Sequence, residues 1–424
     1  MRSARPLIAA LTLALSALSL AACGNSDAGD GKTTLTINAF GDNFSSAKHR
    51  ELYDAYEKAH PDVTIKENRS DFGTHHQNLQ ARLTAGSGAA DLELIEVGQI
   101  AGYVGQPDKF VNFADRDVDA GQWPAAVTQR ASTPDGSTMI GLPTDIGGLA
   151  MCYRTDLFAK AGLPTDRESV SALWQTWEDY VDVGSQFMSK APGAKWFDAG
   201  GHVFTGILGN EEETYYDDKG ELVVEKNKTV RDAWDLTVKA IGADQSAALP
   251  EFSPEWNTGF QQGQFATVTC PAWMLSYIQS NAPDTAGKWD IATVPGGSGN
   301  WGGSYVTVPS QGKNIDPAVE LAKWLTAPEQ AVTLFQTIGN FPSQESTWSE
   351  PEVADYAPEF FTGAPAGKIF PASLKDAPVQ IVGPQSGVIG STFAGALNSV
   401  EQGTSGNDAW EKAMNDIKAA AGDG

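Results

Sequence analysis

Cysteine and histidine are scarce, three and five residues in a chain of 424. No CxxC and no HExxH occurs, and no cluster of metal-ligating residues can be assembled, so a metal site is not expected. The pair His75-His76 points its rings in different directions on any regular element, and surface positions are expected for both. GxSxG is missing too, which removes the strained turn that exposes a hydrolase serine. Basic residues number 29 against 53 acidic ones, a formal charge of −24. Such a surface repels nucleic acid and anionic lipid and suits a neutral or cationic ligand. No apolar run reaches the roughly 20 residues of a membrane-spanning helix; the longest, from Leu7 to about Leu20, falls short.

That run is flanked by Arg2 and Arg5 and ends in small residues, the pattern of a secretory signal peptide over residues 1–22. Leu20-Ala21-Ala22-Cys23 resembles the lipobox of bacterial lipoproteins, whose cysteine is lipidated as the signal is removed; the alternative is a plain Ala-x-Ala signal with Cys23 incidental. Residues 23–33 are small and polar and read as a flexible tether, about 18 Å long on average for ten Gly/Ser-rich residues. Expected localisation is therefore outside the cell, anchored to the outer face of the membrane. Export also bears on the two remaining cysteines, Cys152 in LAMCYR and Cys270 in TVTCPAW. In an oxidising compartment they form a candidate disulfide; otherwise they are two small buried thiols.

The remaining length implies two or three domains. TLTINAF alternates as a strand, FSSAKHRELYDAYEKAHP follows with helical spacing, VTIKE and ADLELIEV are strands, and LQARLTAGSG is a helix between them. Strand and helix in alternation predict a mostly parallel sheet with helices on its faces, with ligands gathering at the carboxyl ends of strands. Further on, a helix is predicted over 170–188, a hairpin turn at Asp218-Lys219-Gly220, a helix from Trp256 to Phe265, a buried strand at FATVTCPAW, and strands at WDIATVP and SYVTVPS around a glycine-rich loop. Gly297 to Gly302 satisfies GxGxxG, but a strand and not a helix follows, which argues against a nucleotide.

Twelve tryptophans are the most informative residues. Trp174, Trp234, Trp324 and Trp410 sit at apolar positions of predicted helices and are assigned to packing. Trp256, Trp273 and Trp301 lie beside loops or strand ends, where an indole offers a flat apolar face and one N–H donor, matching the face and a hydroxyl of a pyranose. Asp42, Asn43, Glu96 and Asp145 follow predicted strands and can bond sugar hydroxyls. Paired carboxylates could also hydrolyse a glycosidic bond, given two of them about 5 to 10 Å apart, a distance the sequence does not fix.

Several stretches together resemble extracellular solute-binding proteins of ABC sugar importers, the superfamily of the maltose-binding protein: EKAHPDVTIKE, GLPTDIGGLAMCYRTDLFAKAGLP, GFQQGQFATVTCPAWM, KWDIATVPGGSGNWGGSYVTVPSQGKN and AKWLTAPEQAV. GLPTDRESVSALWQTWEDYV, TVTCPAWML and GNWGGSYVTVP are closer to cellobiose- and cello-oligosaccharide-binding lipoproteins of actinobacteria. The resemblance implies an α/β fold of two lobes with a hinge of crossing strands and a central ligand cleft, no catalysis and no cofactor. The first lobe would span 34–143 and 301–341, the second 144–300 and 342–424, with crossings near 142–145, 301–305 and 340–343. It implies a monomer that holds an oligosaccharide and docks on the permease subunits of a transporter. The candidate ligand-binding residues are Asp42, Asn43, Glu96, Asp145, Trp256, Trp273, Trp301, Ser304 and Tyr305, of which the resemblance matches Asp42 and Asn43 to a loop that touches sugar, Trp273 to the stacking platform and Trp301 to a second one.

Overall fold

The structure is a computed structural model that describes residues 32–46, 49–190 and 193–422. The export signal, Cys23 and most of the tether lie outside the described residues. Eight strands form one continuous sheet: β1 (Thr33–Phe40), β2 (Val63–Ser70), β3 (Leu92–Glu96), β4 (Gly141–Arg154), β5 (Lys195–Phe197), β6 (Phe265–Pro271), β7 (Trp289–Ala292) and β8 (Asn300–Thr307). Their order is β2-β1-β3-β8-β4-β6-β5, with β7 paired to β4. β1 runs parallel to β2 and β3, and β5 to β6, but the sheet is not mostly parallel as expected: β8 is antiparallel to β3 and β4, and β6 and β7 are antiparallel to β4.

β4 is the long strand of the sheet, and two halves of it do different work. Gly141 to Ile146 pairs with β8, while Leu149 to Arg154 pairs with β6 and β7. The two lobes of this α/β fold meet along it. Side-chain alternation sorts its far half: Leu149, Met151 and Tyr153 enter a core with Trp174, Trp196 and Phe393, while Ala150 and Cys152 enter another with Trp256, Val268 and Phe341. β3 does the same in the other lobe, with Leu92 and Leu94 on one face and Ile95 on the other.

Glycine makes the crossing. A Cβ on Gly147 would fall 1.8 Å from the Trp301 carbonyl oxygen, and Gly303, at φ +118°, would press one to 2.9 Å from the Asp145 carbonyl. Only a bare backbone lets β4 and β8 approach so closely while bulging between Pro143 and Gly148.

The structure corrects three local expectations. The helix over 170–188 is two, Arg167–Ser171 and Trp177–Met188, because Thr176 and Asp179 form a reciprocal capping box that starts a new helix. The turn at Asp217 to Gly220 exists, with Gly220 at φ +78°, but closes only an isolated Tyr216–Leu222 bridge. His75 and His76 are buried, at 2% and 6% exposure, against Phe40 and Phe72. Cys152 and Cys270, on neighbouring strands with Cα atoms 5.5 Å apart, are joined as a disulfide.

Candidate functional site

Register lines up a polar row where the lobes meet. On β8, Ser304 lies opposite Glu96 of β3 on one side and Asp145 of β4 on the other. Cross-strand neighbours share a face, so Glu96, Ser304 and Asp145 form one band across three strands. Asn43, in the loop after β1, extends it: its Nδ2 donates to Ser304 Oγ at 3.5 Å, and its buried Oδ1 has no protein partner. Asn340 holds that loop by donating to the Asp42 and Asn43 carbonyls, both at 3.1 Å. The chain at 341–342 then pairs back onto β4, with Ile146 N–H donating to the Phe341 carbonyl at 3.0 Å and a bridge from Asp145 to Pro342.

Glu96 caps the helix Val97–Val104, accepting from Gly98 N–H at 2.7 Å. Its own N–H donates to Nε2 of His76 at 3.2 Å. His76 can accept there because Nδ1 faces the Phe72 carbonyl at 2.9 Å and carries the proton; burial lowers its pKa to about 4. Burial pushes the Glu96 carboxyl up to about 7; the Gly98 N–H and Arg130 oppose this, and the negative charges of Asp145 and Glu251 add to it. Burial also raises Asp145, against a hydrogen bond from the Thr144 hydroxyl at 2.7 Å. Asp42 is exposed and engaged elsewhere, its carboxylate 2.8 Å from Arg69, which also holds Glu67 and Ser45.

An aromatic pair lies beside this row, at the start of β8. Trp273 and Trp301 meet edge to face with centroids 5.7 Å apart, and Trp273 Nε1 donates to the Trp301 carbonyl at 3.4 Å. Gly302, at φ +92°, leaves room for that indole. Trp301 also lies against His202, centroids 4.9 Å apart. Burial alone would lower the pKa of His202, but Asp198 and then Glu251 outweigh it and hold it up at about 10. The chain segments also touch where Arg130 donates to the Gln380 carbonyl at 3.3 Å and Gly102 passes close under Pro384.

Two expected ligand contacts belong to the core instead. Trp256 is fully buried, its indole N–H donating to Asp198 at 2.8 Å. Tyr305 is 1% exposed, its hydroxyl donating to the Val127 carbonyl at 2.8 Å. Asn43, Glu96, Asp145 and Ser304 are brought together, with Asp42 next to Asn43, and Trp273 and Trp301 meet each other at the start of β8. Sequence reasoning missed Phe252, Glu251, His202 and Asn340. The one available signal was an aromatic residue in a loop between two prolines, PEFSP.

Residues 51–362 match the family described as bacterial extracellular solute-binding protein. A crystal structure of an extracellular solute-binding protein of family 1 is 39% identical, covers 92% of this chain and 99% of its own, and superposes with a TM-score of 0.80. The arabinooligosaccharide-binding protein of Bacillus subtilis (strain 168) is 24% identical over 341 residues, 77% of this chain and 76% of its own. The lactose-binding protein of Rhizobium radiobacter is 25% identical over 310 residues, 70% and 71% of the two chains. With most of its length matched, and with a relative this close in sequence and shape, the chain belongs to the bacterial extracellular solute-binding proteins, which bind and do not catalyse.

Proposed function

We propose that this protein captures an oligosaccharide, of the cello-oligosaccharide class, between its lobes and hands it to the permease subunits of an ABC importer. The observation that carries the reading is the pair of indoles, Trp273 and Trp301, at the start of the strand whose Ser304 joins Glu96, Asp145 and Asn43 in one polar row. Indole faces suit the apolar faces of sugar rings, while the carboxylates and the unpaired amide oxygen suit their hydroxyls. The names of the two sugar-binding relatives agree with a sugar ligand but not with cello-oligosaccharide in particular, and the stretches resembling cellobiose-binding lipoproteins favour β-linked glucose.

In this reading the lobes comprise 34–143 with 301–341 and 144–300 with 342–424, the sugar draws them together, and the closed monomer docks on the transporter. Lipid on Cys23 tethers it to the membrane; Cys23→Ala should release the protein into the medium, and a variant that stays in the membrane fraction would remove the anchor.

A ligand that binds only the folded state raises the melting temperature with the logarithm of its concentration. A thermal-shift screen should therefore respond to cellobiose and cellotriose among cello-, xylo-, manno-, malto-, chito- and arabino-oligosaccharides and lactose. A response to another series alone overturns the cello assignment, and silence from all of them overturns the sugar.

Glu96 gives the binding a pH signature. An ionised carboxylate accepts from two hydroxyls where a carboxylic acid must spend one oxygen as a donor, so affinity should rise as pH passes upward through about 7. Glu96→Gln should flatten that profile between pH 6 and 8. Stability of the unliganded protein moves the other way: a carboxyl whose pKa is raised from 4.5 to about 7 contributes stability present below 4.5 and lost as pH rises through 7. The same variant should therefore gain more in melting temperature at pH 8 than at pH 5. Unchanged slopes in both measurements would place Glu96 outside the cleft's chemistry.

A further inference from the structure

Phe252 is the anomaly of the second lobe. It is 49% exposed, and its backbone sits at φ +60°, a conformation that a bulky side chain rarely adopts. Asp244 and Ala248, in the same connection between helix Lys228–Gly242 and helix Pro254–Gln262, are also at positive φ. Backbone strain of this kind persists only where the surroundings over-determine it, and it gathers at ligand clamps.

The surroundings do over-determine it. Ala247 N–H donates to the Phe197 carbonyl at 2.9 Å and Leu249 N–H to the Asp198 carbonyl at 3.1 Å, fixing the loop to the end of β5. Glu251 lies 3.4 Å from Nε2 of His202, an ion pair, and the other nitrogen of that ring is bonded to Asp198. Asp198 also accepts the Trp256 indole N–H. Trp256 and Tyr277 then support the Phe252 ring edge to face, at 5.4 and 5.6 Å. The ring stacks beside Trp273, with centroids 6.1 Å apart and 30° between planes. The contact with Trp273 puts the Phe252 ring next to the aromatic pair.

We propose that Phe252 is a third sugar-stacking ring, held at the cleft by the Glu251–His202 ion pair, and that it makes the site prefer an oligosaccharide of three or more units over a disaccharide. The inference rests on the sugar-binding reading above. Trp301 and Trp273 meet edge to face at 5.7 Å and Trp273 and Phe252 stack at 6.1 Å, spacings near the rise of a sugar unit in an extended chain, and the proposal gives each ring a different unit. His202 is a positioning residue: one imidazole backs Trp301 and anchors the loop that carries Phe252.

Titration calorimetry with cellobiose, cellotriose and cellotetraose tests this on wild type, Phe252→Gly, Phe252→Tyr and Glu251→Gln. Glycine tolerates the positive φ and keeps the loop's path. Phe252→Gly should weaken cellotriose and cellotetraose about tenfold, a loss of roughly 1.4 kcal/mol, with cellobiose changed less than twofold and the unliganded melting temperature preserved. Phe252→Tyr should restore the preference for length, and Glu251→Gln should lose part of it. Equal affinity of wild type and Phe252→Gly for cellotriose overturns the third ring and leaves the sugar reading standing. Equal loss across all three sugars makes Phe252 a structural residue and also overturns it. A wild type that binds none of the three, nor any other series of the screen, overturns both.

Discussion

Replacing Cys152 and Cys270 together by alanine is expected to lower the free energy of unfolding by about 5 kcal/mol. The bond closes a loop of 118 residues, and in the chain-entropy account a cross-link of that span removes about 5 kcal/mol of freedom from the unfolded chain. Its position makes the constraint matter. It ties β4, the strand shared by both lobes, to β6, which is buried along its whole length. Both cysteines are 0% exposed among Trp256, Val268 and Phe341, so the folded state should keep its shape without the bond. The unfolded state is what changes, and a freer unfolded chain exposes more surface. Denaturant unfolding should accordingly show a lower midpoint together with a steeper slope. A midpoint within error of wild type would mean that the loop is already restricted when unfolded. A fall in midpoint with lost sugar binding at low denaturant would mean that the bond shapes the cleft as well.

Much of the fold was legible because it is written in short-range pattern. Alternation in TLTINAF puts Leu35, Ile37 and Ala39 inside, and the sequence GLPTDIGGLAMCYR is apolar enough to be buried on both faces, with glycines where it must cross β8. The same rule of two should have excluded Tyr305. If Ser304 faces the cleft beside Glu96 and Asp145, its neighbour on β8 faces away, and Tyr305 indeed packs with Leu79, Ile95 and Ile100. Trp256 was harder. Ser253 caps its helix, with Trp256 N–H donating to the serine hydroxyl at 3.1 Å, and this start of the helix turns the indole inward to a carboxylate 58 positions earlier.

The buried histidines were illegible for a related reason. On helix Phe72–Ala85 the two rings do point apart, but both directions are covered: His75 meets the Leu94 carbonyl at 2.6 Å and His76 the Glu96 N–H. Polar side chains satisfied by backbone groups of a strand distant in sequence leave no periodic trace. Phe252 is hidden in the same way, since its place beside Trp273 depends on His202 and Asp198, about fifty residues before it, and on Tyr277 after it.

Trp273→Ala should weaken the preferred oligosaccharide about a hundredfold while leaving the unliganded protein folded. Trp273 follows β6 and immediately precedes helix Met274–Asn281, where it is only partly buried, so its removal opens no closed cavity. It is also the middle ring of three, touching both Trp301 and Phe252. Truncating a central aromatic anchor at a binding surface costs 2 kcal/mol or more, and about 2.8 kcal/mol is a factor of a hundred in affinity. Trp301→Ala should cost more than affinity: Trp301 supplies the carbonyl that accepts the Trp273 indole N–H and lies against His202, but the carbonyl survives the substitution and the contact with His202 does not. Its loss should therefore disturb the loop that carries Phe252 as well as one stacking face. Trp273→Phe keeps a ring but removes the N–H, so it should recover most of the affinity if stacking carries the effect and little of it if the hydrogen bond to the Trp301 carbonyl does. A Trp273→Ala protein that binds as tightly as wild type would take the aromatic rings out of the mechanism, leaving the polar row across β3, β8 and β4 to hold the ligand alone.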